Sequence, residues 1–304
     1  MVITVAKRDK RIADQAEELR DLMQEKNARE RVERHQHRTR VVVVTSGKGG
    51  VGKTNIATNM AIAYGYMGKK VVLIDADLGL ANVNVIMNVV PQYNLYHVIK
   101  KQKKMSDIII DTNFGIKLIA GASGFSKIAN LNEEERAAFI QELYSLSETD
   151  IIIIDTSAGV SKNVVSFVAS ADDVIVVTTA EPTAITDAYG MIKIIATEVD
   201  NRDMNLKMIV NRVNSAAEGR RISERMIQIA AQFLNLKLDY LGFIYDDTSV
   251  GASVLRQVPF LIHEPRGKAS VCLRHIVAKL EKTEIAETGG LSGFIRRIFG
   301  REWE

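Results

Sequence analysis

The sequence predicts an α/β protein, with a mostly parallel sheet of about 7–8 strands and helices on both faces. Three observations carry this expectation. Short β-branched runs recur at Val41–Thr45, Lys70–Asp75, Gly115–Ala120, Ile151–Asp155, Val174–Thr178, Leu206–Asn211 and Tyr240–Ile244. They are continuously apolar rather than alternating, as strands covered on both faces are. Helical patterns over Thr54–Met67, Glu133–Leu146, Ala184–Val199 and Ser223–Leu234 separate them, and strand–helix–strand repetition makes a parallel sheet. In such sheets ligands bind at the carboxyl ends of the strands.

Composition agrees. The chain has 304 residues, 46% hydrophobic and 25% charged, ample apolar material for a core and outside the disordered range. Net charge is +3, from 40 basic and 37 acidic residues, so no nucleic-acid-type charge field is expected. The single cysteine, Cys272, reads as a buried small hydrophobe in a reducing compartment; alone, it excludes an internal disulfide and Cys-x-x-Cys metal or cluster sites. No apolar run reaches the roughly 18 residues of a bilayer span, and the N-terminus lacks signal-peptide order. A cytoplasmic location, with at most peripheral attachment to the cell membrane, is expected. Three zones organise the chain: a polar extension over 1–40, the α/β domain over 41–284, and a linker and tail over 285–304.

Each element then acquires a role. The turn after the first strand runs Gly47-Lys48-Gly49-Gly50-Val51-Gly52-Lys53-Thr54 and fits G-x-x-x-x-G-K-[ST]. Glycines allow backbone N–H groups to face phosphate oxygens, and the following helix adds its dipole. Lys53 can reach the β- and γ-phosphates and the Thr54 hydroxyl can ligate Mg²⁺, with Asn55 next in line. The second strand ends in Asp75-Ala76-Asp77, two carboxylates on one side. Near a triphosphate one suits the metal shell and the other an attacking water. Ile151–Ile154 leads into Asp155-Thr156-Ser157-Ala158-Gly159, the pattern of a buried strand presenting one aspartate.

Lys48 makes the loop Lys-Gly-Gly-x-Gly-Lys-Thr, which resembles the deviant Walker A motif of the MinD/ParA ATPases. Read blind, Lys48 is equally a solvated loop lysine. The resemblance spans roughly residues 41–280. It implies a single P-loop NTPase domain, ATP and Mg²⁺ as ligands, and an ATP-dependent homodimer in which Lys48 reaches the partner's phosphates. It further implies that Asp77 is the hydrolytic residue, that Asp75 and Asp155 serve the metal with Thr54, and that Gly159 senses the γ-phosphate. Asn211 matches the family's adenine-reading asparagine. The segment Leu241–Asp246, containing Ile244, resembles its later base-flanking segment, although the usual proline is missing here.

The ends distinguish family members. In the tail, Leu291, Phe294, Ile295, Ile298 and Phe299 share one helical face. Arg296, Arg297 and Arg301 suit anionic headgroups, and Trp303 an interface. A helix packed on the core or on a partner would look the same, but the segment resembles the membrane-targeting helix of MinD-type proteins. Near the N-terminus, Ile12, Ala16, Leu19 and Met23 trace a narrow apolar stripe that must dock on something, its own domain included. Asp14-Gln15-Ala16-Glu17-Glu18-Leu19-Arg20 resembles the activator motif of FlhG-type flagellar number regulators. That implies docking on an FlhF-type SRP GTPase through Gln15, Leu19 and Arg20, and flagellar basal-body (C-ring) proteins as partners. The basic run Arg29–Arg40 reads as a solvated linker or helix face, with contact to RNA or lipid as the lesser alternative, and His35 and His37 have no convincing metal partners nearby.

A slow, partner- or membrane-regulated ATP hydrolase that controls flagellar number and placement is therefore expected. The alternatives are a MinD-type division-site regulator, which the extension before the phosphate loop disfavours, and a ParA-type partition ATPase, which the near-neutral charge and the tail disfavour. Relatives of the nitrogenase iron protein need more cysteines. A dead-site interaction protein would not keep Lys48, Lys53, Thr54, Asp77 and Asp155 together.

Overall fold

The computed structural model describes residues 38–77, 82–121, 133–200, 204–283 and 289–299. The expectations for Gln15, Leu19 and Arg20, for His35 and His37, and for Arg301 and Trp303 concern residues outside that set.

All seven expected strands form. They are β1 (Arg40–Ser46), β2 (Val71–Ala76), β4 (Lys117–Ala120), β5 (Ile151–Ala158), β6 (Asp173–Thr179), β7 (Asn205–Val213) and β8 (Asp239–Tyr245). An eighth, the short β3 (Ile109–Asp111), pairs antiparallel with β4 at one edge. The order is β3-β4-β2-β5-β1-β6-β7-β8, and every pairing except β3–β4 is parallel. Continuous valine runs work because both faces are covered. Val41 and Val43 enter one apolar cluster, and Val42 and Val44 enter the other across the sheet.

On one face lie α1 (Lys53–Tyr66), α10 (Phe260–His263) and α11 (Lys268–Glu281). On the other lie α3 (Leu95–Ile99), α4 (Met105–Ile108), α5 (Glu133–Tyr144), α6 (Lys162–Ser170), α7 (Pro182–Glu198), α8 (Ala216–Leu234) and α12 (Gly290–Phe299). The short helices α2 (Val83–Ile86) and α9 (Thr248–Leu255) sit near the strands' carboxyl ends. α8 begins at Ala216, seven residues before the apolar pattern at Ser223, because Ser215 caps it by accepting from the Glu218 N–H.

Two sequence readings are corrected. Thr39 and Arg40 are buried rather than part of a solvated linker. Arg40 opens β1 and its Nε donates to Asp173 at 2.7 Å, so that carboxylate draws it out of the basic run. Cys272 is half-buried, packed against the edge of the core on α11. The tail face is covered by the domain, as the sequence allowed. In α12, Leu291, Phe294, Ile295 and Phe299 are buried in the domain's own apolar cluster and Ile298 packs beside them. Phe294 stacks on Phe167 of α6, centroids 6.5 Å apart and planes 3° apart, and Phe299 meets Phe139 of α5 edge-on at 6.1 Å. Polar contacts fix the register. The Gly290 N–H donates to Asp172 Oδ1 at 2.6 Å, and Arg297 donates to the Ser170 carbonyl from Nε at 3.2 Å and Nη2 at 3.0 Å. The other Asp172 oxygen accepts the Val41 N–H at 2.8 Å. Among the described residues no helix is long and apolar enough to cross a membrane.

Candidate functional site

The turn from β1 to α1 is held from several sides. Gly47 is glycine because a Cβ there would stand 2.1 Å from the Asp187 carbonyl oxygen of α7. Gly50 (φ +77°) and Gly52 (φ +93°) occupy the left-handed region that favours glycine. A Cβ on Gly52 would also lie 2.4 Å from Asn211 Nδ2. The loop borders a cleft of about 420 Å³ whose lining includes Lys48, Gly49, Gly50, Gly52, Lys53, Thr54, Asn55 and Asp77.

Strand register assembles the acidic wall. β2 and β5 pair so that Asp75 stands opposite Asp155. Asp155 is fully buried, and Lys53 Nζ donates to its Oδ1 at 2.8 Å. Burial pushes the Asp155 carboxyl up, while Lys53 and the Thr54 hydroxyl pull it back. Its Oδ2 is buried and meets no hydrogen-bond donor among the described residues. An orphaned carboxylate oxygen beside a hydroxyl and a second carboxylate is the donor chemistry that Mg²⁺ takes. Asp75 accepts the N–H groups of Asp77 (3.2 Å) and Val83 (3.1 Å). Burial, and then the neighbouring Asp155 charge, push Asp75 up to about 6. Asp77 sits at the cleft, where its Oδ2 accepts from Asn82 Nδ2 at 3.4 Å. The rest of the expected switch segment, Leu78–Ala81, lies outside the described residues.

Lys48 is not a free loop lysine. Its Nζ donates to Glu181 Oε2 at 2.9 Å and Thr183 Oγ1 at 2.7 Å, both at the start of α7. The ammonium holds the Glu181 carboxyl below its usual range. Glu181 and Thr183 carried no sequence signal, because they partner a loop more than a hundred positions away. Gly159, at φ +84°, donates its N–H to the Ser46 carbonyl at 2.8 Å, so β5's end is tied to the root of the loop. Asn211 reaches the site, with Nδ2 donating to the Val51 carbonyl at 2.8 Å. Ile244 does not: its side chain is buried in the core cluster under α11, because β8 turns that face inward. Anything its segment offers a base must come from the backbone. Arg212, which sequence reasoning passed over, donates from Nη2 to the Gly50 carbonyl at 2.9 Å.

A glycine-rich loop between the central parallel strand and a helix, with a buried lysine–aspartate pair beneath it, defines a phosphate-loop nucleotide-binding protein. The model of the CobQ/CobB/MinD/ParA nucleotide binding domain matches residues 42–260. The antiactivator FleN of Pseudomonas aeruginosa is 35% identical, over 86% of this chain and 94% of FleN. The flagellum site-determining protein YlxH of Helicobacter pylori is 39% identical, over 94% of this chain and 98% of YlxH. The MinD cell division protein of Aquifex aeolicus superposes with a TM-score of 0.64 at 25% identity, over 82% of this chain and 99% of that one. The chain belongs to the MinD/ParA family of nucleotide-binding domains.

Proposed function

We propose that this chain is a MinD-like ATPase that dimerises on ATP, binds membrane through its tail and regulates the number and placement of flagella. The observation that carries the reading is the complete phosphate site: Lys53 on Asp155, an orphaned Asp155 oxygen beside Thr54, and a second loop lysine held at the mouth. Similarity to FleN and YlxH over most of both chains supports the flagellar role.

The loop N–H groups and Lys53 bind the phosphates, which draws Lys53 from Asp155. Mg²⁺ would be held by Thr54 and the Asp75/Asp155 pair, and when bound it neutralises charge that builds on the phosphates. Asp77 orients the attacking water and accepts its proton. Lys48 leaves Glu181 and Thr183 to meet the phosphates bound by the partner, which makes the dimer depend on ATP. Asn211 presents its amide to adenine while holding the loop.

Nucleotide and tail are joined through α6. Gly159 competes between the Ser46 carbonyl and a γ-phosphate; two residues on, Ser161 caps α6; and α6 carries Phe167 and Ser170, which seat the tail. A shift of β5's end is thereby felt by α12. Release exposes Leu291, Phe294, Ile295, Ile298 and Phe299 for insertion, with the arginines facing an anionic surface. Two tails in one dimer attach about 10²–10⁴ more strongly than one. The extension before β1 acts separately: Gln15, Leu19 and Arg20 dock on an FlhF-type SRP GTPase and stimulate it, and basal-body (C-ring) proteins are the structures regulated. Hydrolysis is slow until membrane or partner engages.

Size measurement with a slowly hydrolysed ATP analogue tests the reading. Wild type dimerises; Lys48→Ala binds the analogue and stays monomeric. Dimerisation of Lys48→Ala at wild-type concentrations would refute it.

A further inference from the structure

Asn211 and Arg212 are neighbours at the end of β7, and both reach the phosphate loop. Asn211 Nδ2 donates to the Val51 carbonyl at 2.8 Å, and Arg212 Nη2 donates to the adjacent Gly50 carbonyl at 2.9 Å. In an extended strand, successive side chains point to opposite faces. Two neighbours serving the same loop therefore require a break in the strand. The break is present: Arg212 adopts φ +55°, and the β7–β8 register shifts between Val210 and Val213. A left-handed conformation is costly for any residue with a Cβ and persists where its surroundings enforce it. Bulges beside active sites commonly re-aim a side chain in this way.

The two tied carbonyls have a consequence for the loop. No peptide among the described residues is cis, and a planar trans peptide points its N–H opposite to its C=O. Fixing the carbonyls of Gly50 and Val51 toward β7 commits the N–H groups of Val51 and Gly52 to the other side. Convergent N–H groups of that kind form an anion-binding concavity. Gly50 and Gly52, at φ +77° and +93°, supply the backbone freedom, and the β7 side chains remove it again.

We propose that Asn211 and Arg212 act as a two-pronged clip that holds the phosphate loop in its anion-binding form before nucleotide arrives, with Arg212 as a positioning residue. The inference rests on the nucleotide-site reading above. Its ligand class is the β-phosphate of a nucleoside diphosphate or triphosphate. Arg212 also borders the cleft, so the test must separate a hold on the loop from contact with the nucleotide.

The test uses the full chain with Arg212→Gly and Arg212→Lys. Glycine removes the prong but also relieves the left-handed backbone, so unfolding temperature without nucleotide should hold or rise. Affinity for ADP and for ATP should fall together by roughly tenfold, the size of one charge-assisted hydrogen bond. Lysine, which can still donate to a carbonyl, should restore part of it. Hydrogen exchange in the nucleotide-free protein supplies an independent measurement: amides in 49–53 should exchange faster in Arg212→Gly while those of β1 and β5 do not change. Wild-type ADP affinity in Arg212→Gly overturns the clip. So does weakened affinity with unchanged loop exchange, which would place Arg212 on the nucleotide instead. Failure of the wild type to bind ADP or ATP sinks the nucleotide reading instead, while the exchange experiment still decides the clip.

Discussion

Phe167→Ala is the sharpest perturbation of the proposed tail switch, because it alters the groove and leaves every tail residue intact. Phe167 is 4% exposed and lies flat against Phe294. Truncating a buried phenylalanine costs about 3–5 kcal/mol in total. Most of that falls on the domain whether or not the tail is docked. The part specific to docking is the ring–ring contact, about 0.5–1.5 kcal/mol beyond area burial. At 1.4 kcal/mol per decade, the undocked population rises roughly 2- to 12-fold. Sedimentation with anionic vesicles reads this directly. In ADP, where the proposed switch keeps the wild-type tail in its groove, the variant should bind more vesicle by about that factor. In ATP, where the proposed switch frees the tail, the two proteins should match. Unchanged binding in ADP would refute the groove as the restraint, and loss of binding in both states would mean that Phe167 acts only on folding.

Three further outcomes are expected. Asp77→Ala should keep nucleotide binding, accumulate dimer and lose turnover by about 10²-fold or more in steady-state phosphate release; undiminished turnover would remove Asp77 from its role. A peptide covering residues 1–35 should by itself raise GTP turnover by an FlhF-type GTPase, and Leu19→Ala should weaken it; no stimulation at high peptide concentration returns that segment to a packing role. Asp75→Asn should stabilise the nucleotide-free protein at neutral pH. The folded carboxyl titrates near 6 against about 3.8 unfolded, so between those values the native state holds the extra proton and wild-type stability falls as pH rises. The variant's advantage should grow across that window to at most about 3 kcal/mol, at 1.36 kcal/mol per unit, and vanish below pH 4. Denaturation at pH 3.5 and 7 distinguishes this from a uniform packing effect.

The continuous strands were legible because burial on both faces leaves a compositional mark, and Gly47–Thr54 because a phosphate loop needs particular residues in a fixed order. β3 and the short helices α2, α3 and α4 left none, since three to five residues carry no period. α11 was missed although its apolar face is regular; no strand follows it to frame it. Long-range partners were invisible for a different reason. Glu181 meets Lys48, and Arg212 meets Gly50, only after the sheet order brings the ends of β1, β6 and β7 together. The tail's apolar stripe was readable, but a stripe says that something covers it and not what. Here the cover is the domain itself.

One carboxylate, Asp172, receives the N–H of Val41 and that of Gly290. The start of β1 and the start of α12 thus meet at a single pole, where the parallel strands begin. The nucleotide cleft is at the other pole, where they end. α11 returns to the first pole, with Lys69 paired to Glu281 near its last turn at 2.9 Å. A tail lifted from its groove therefore swings from a tether about one strand length, roughly 20 Å, away from the phosphates. On the proposed reading this sets an orientation. A molecule moored by its tail turns its cleft away from the lipid.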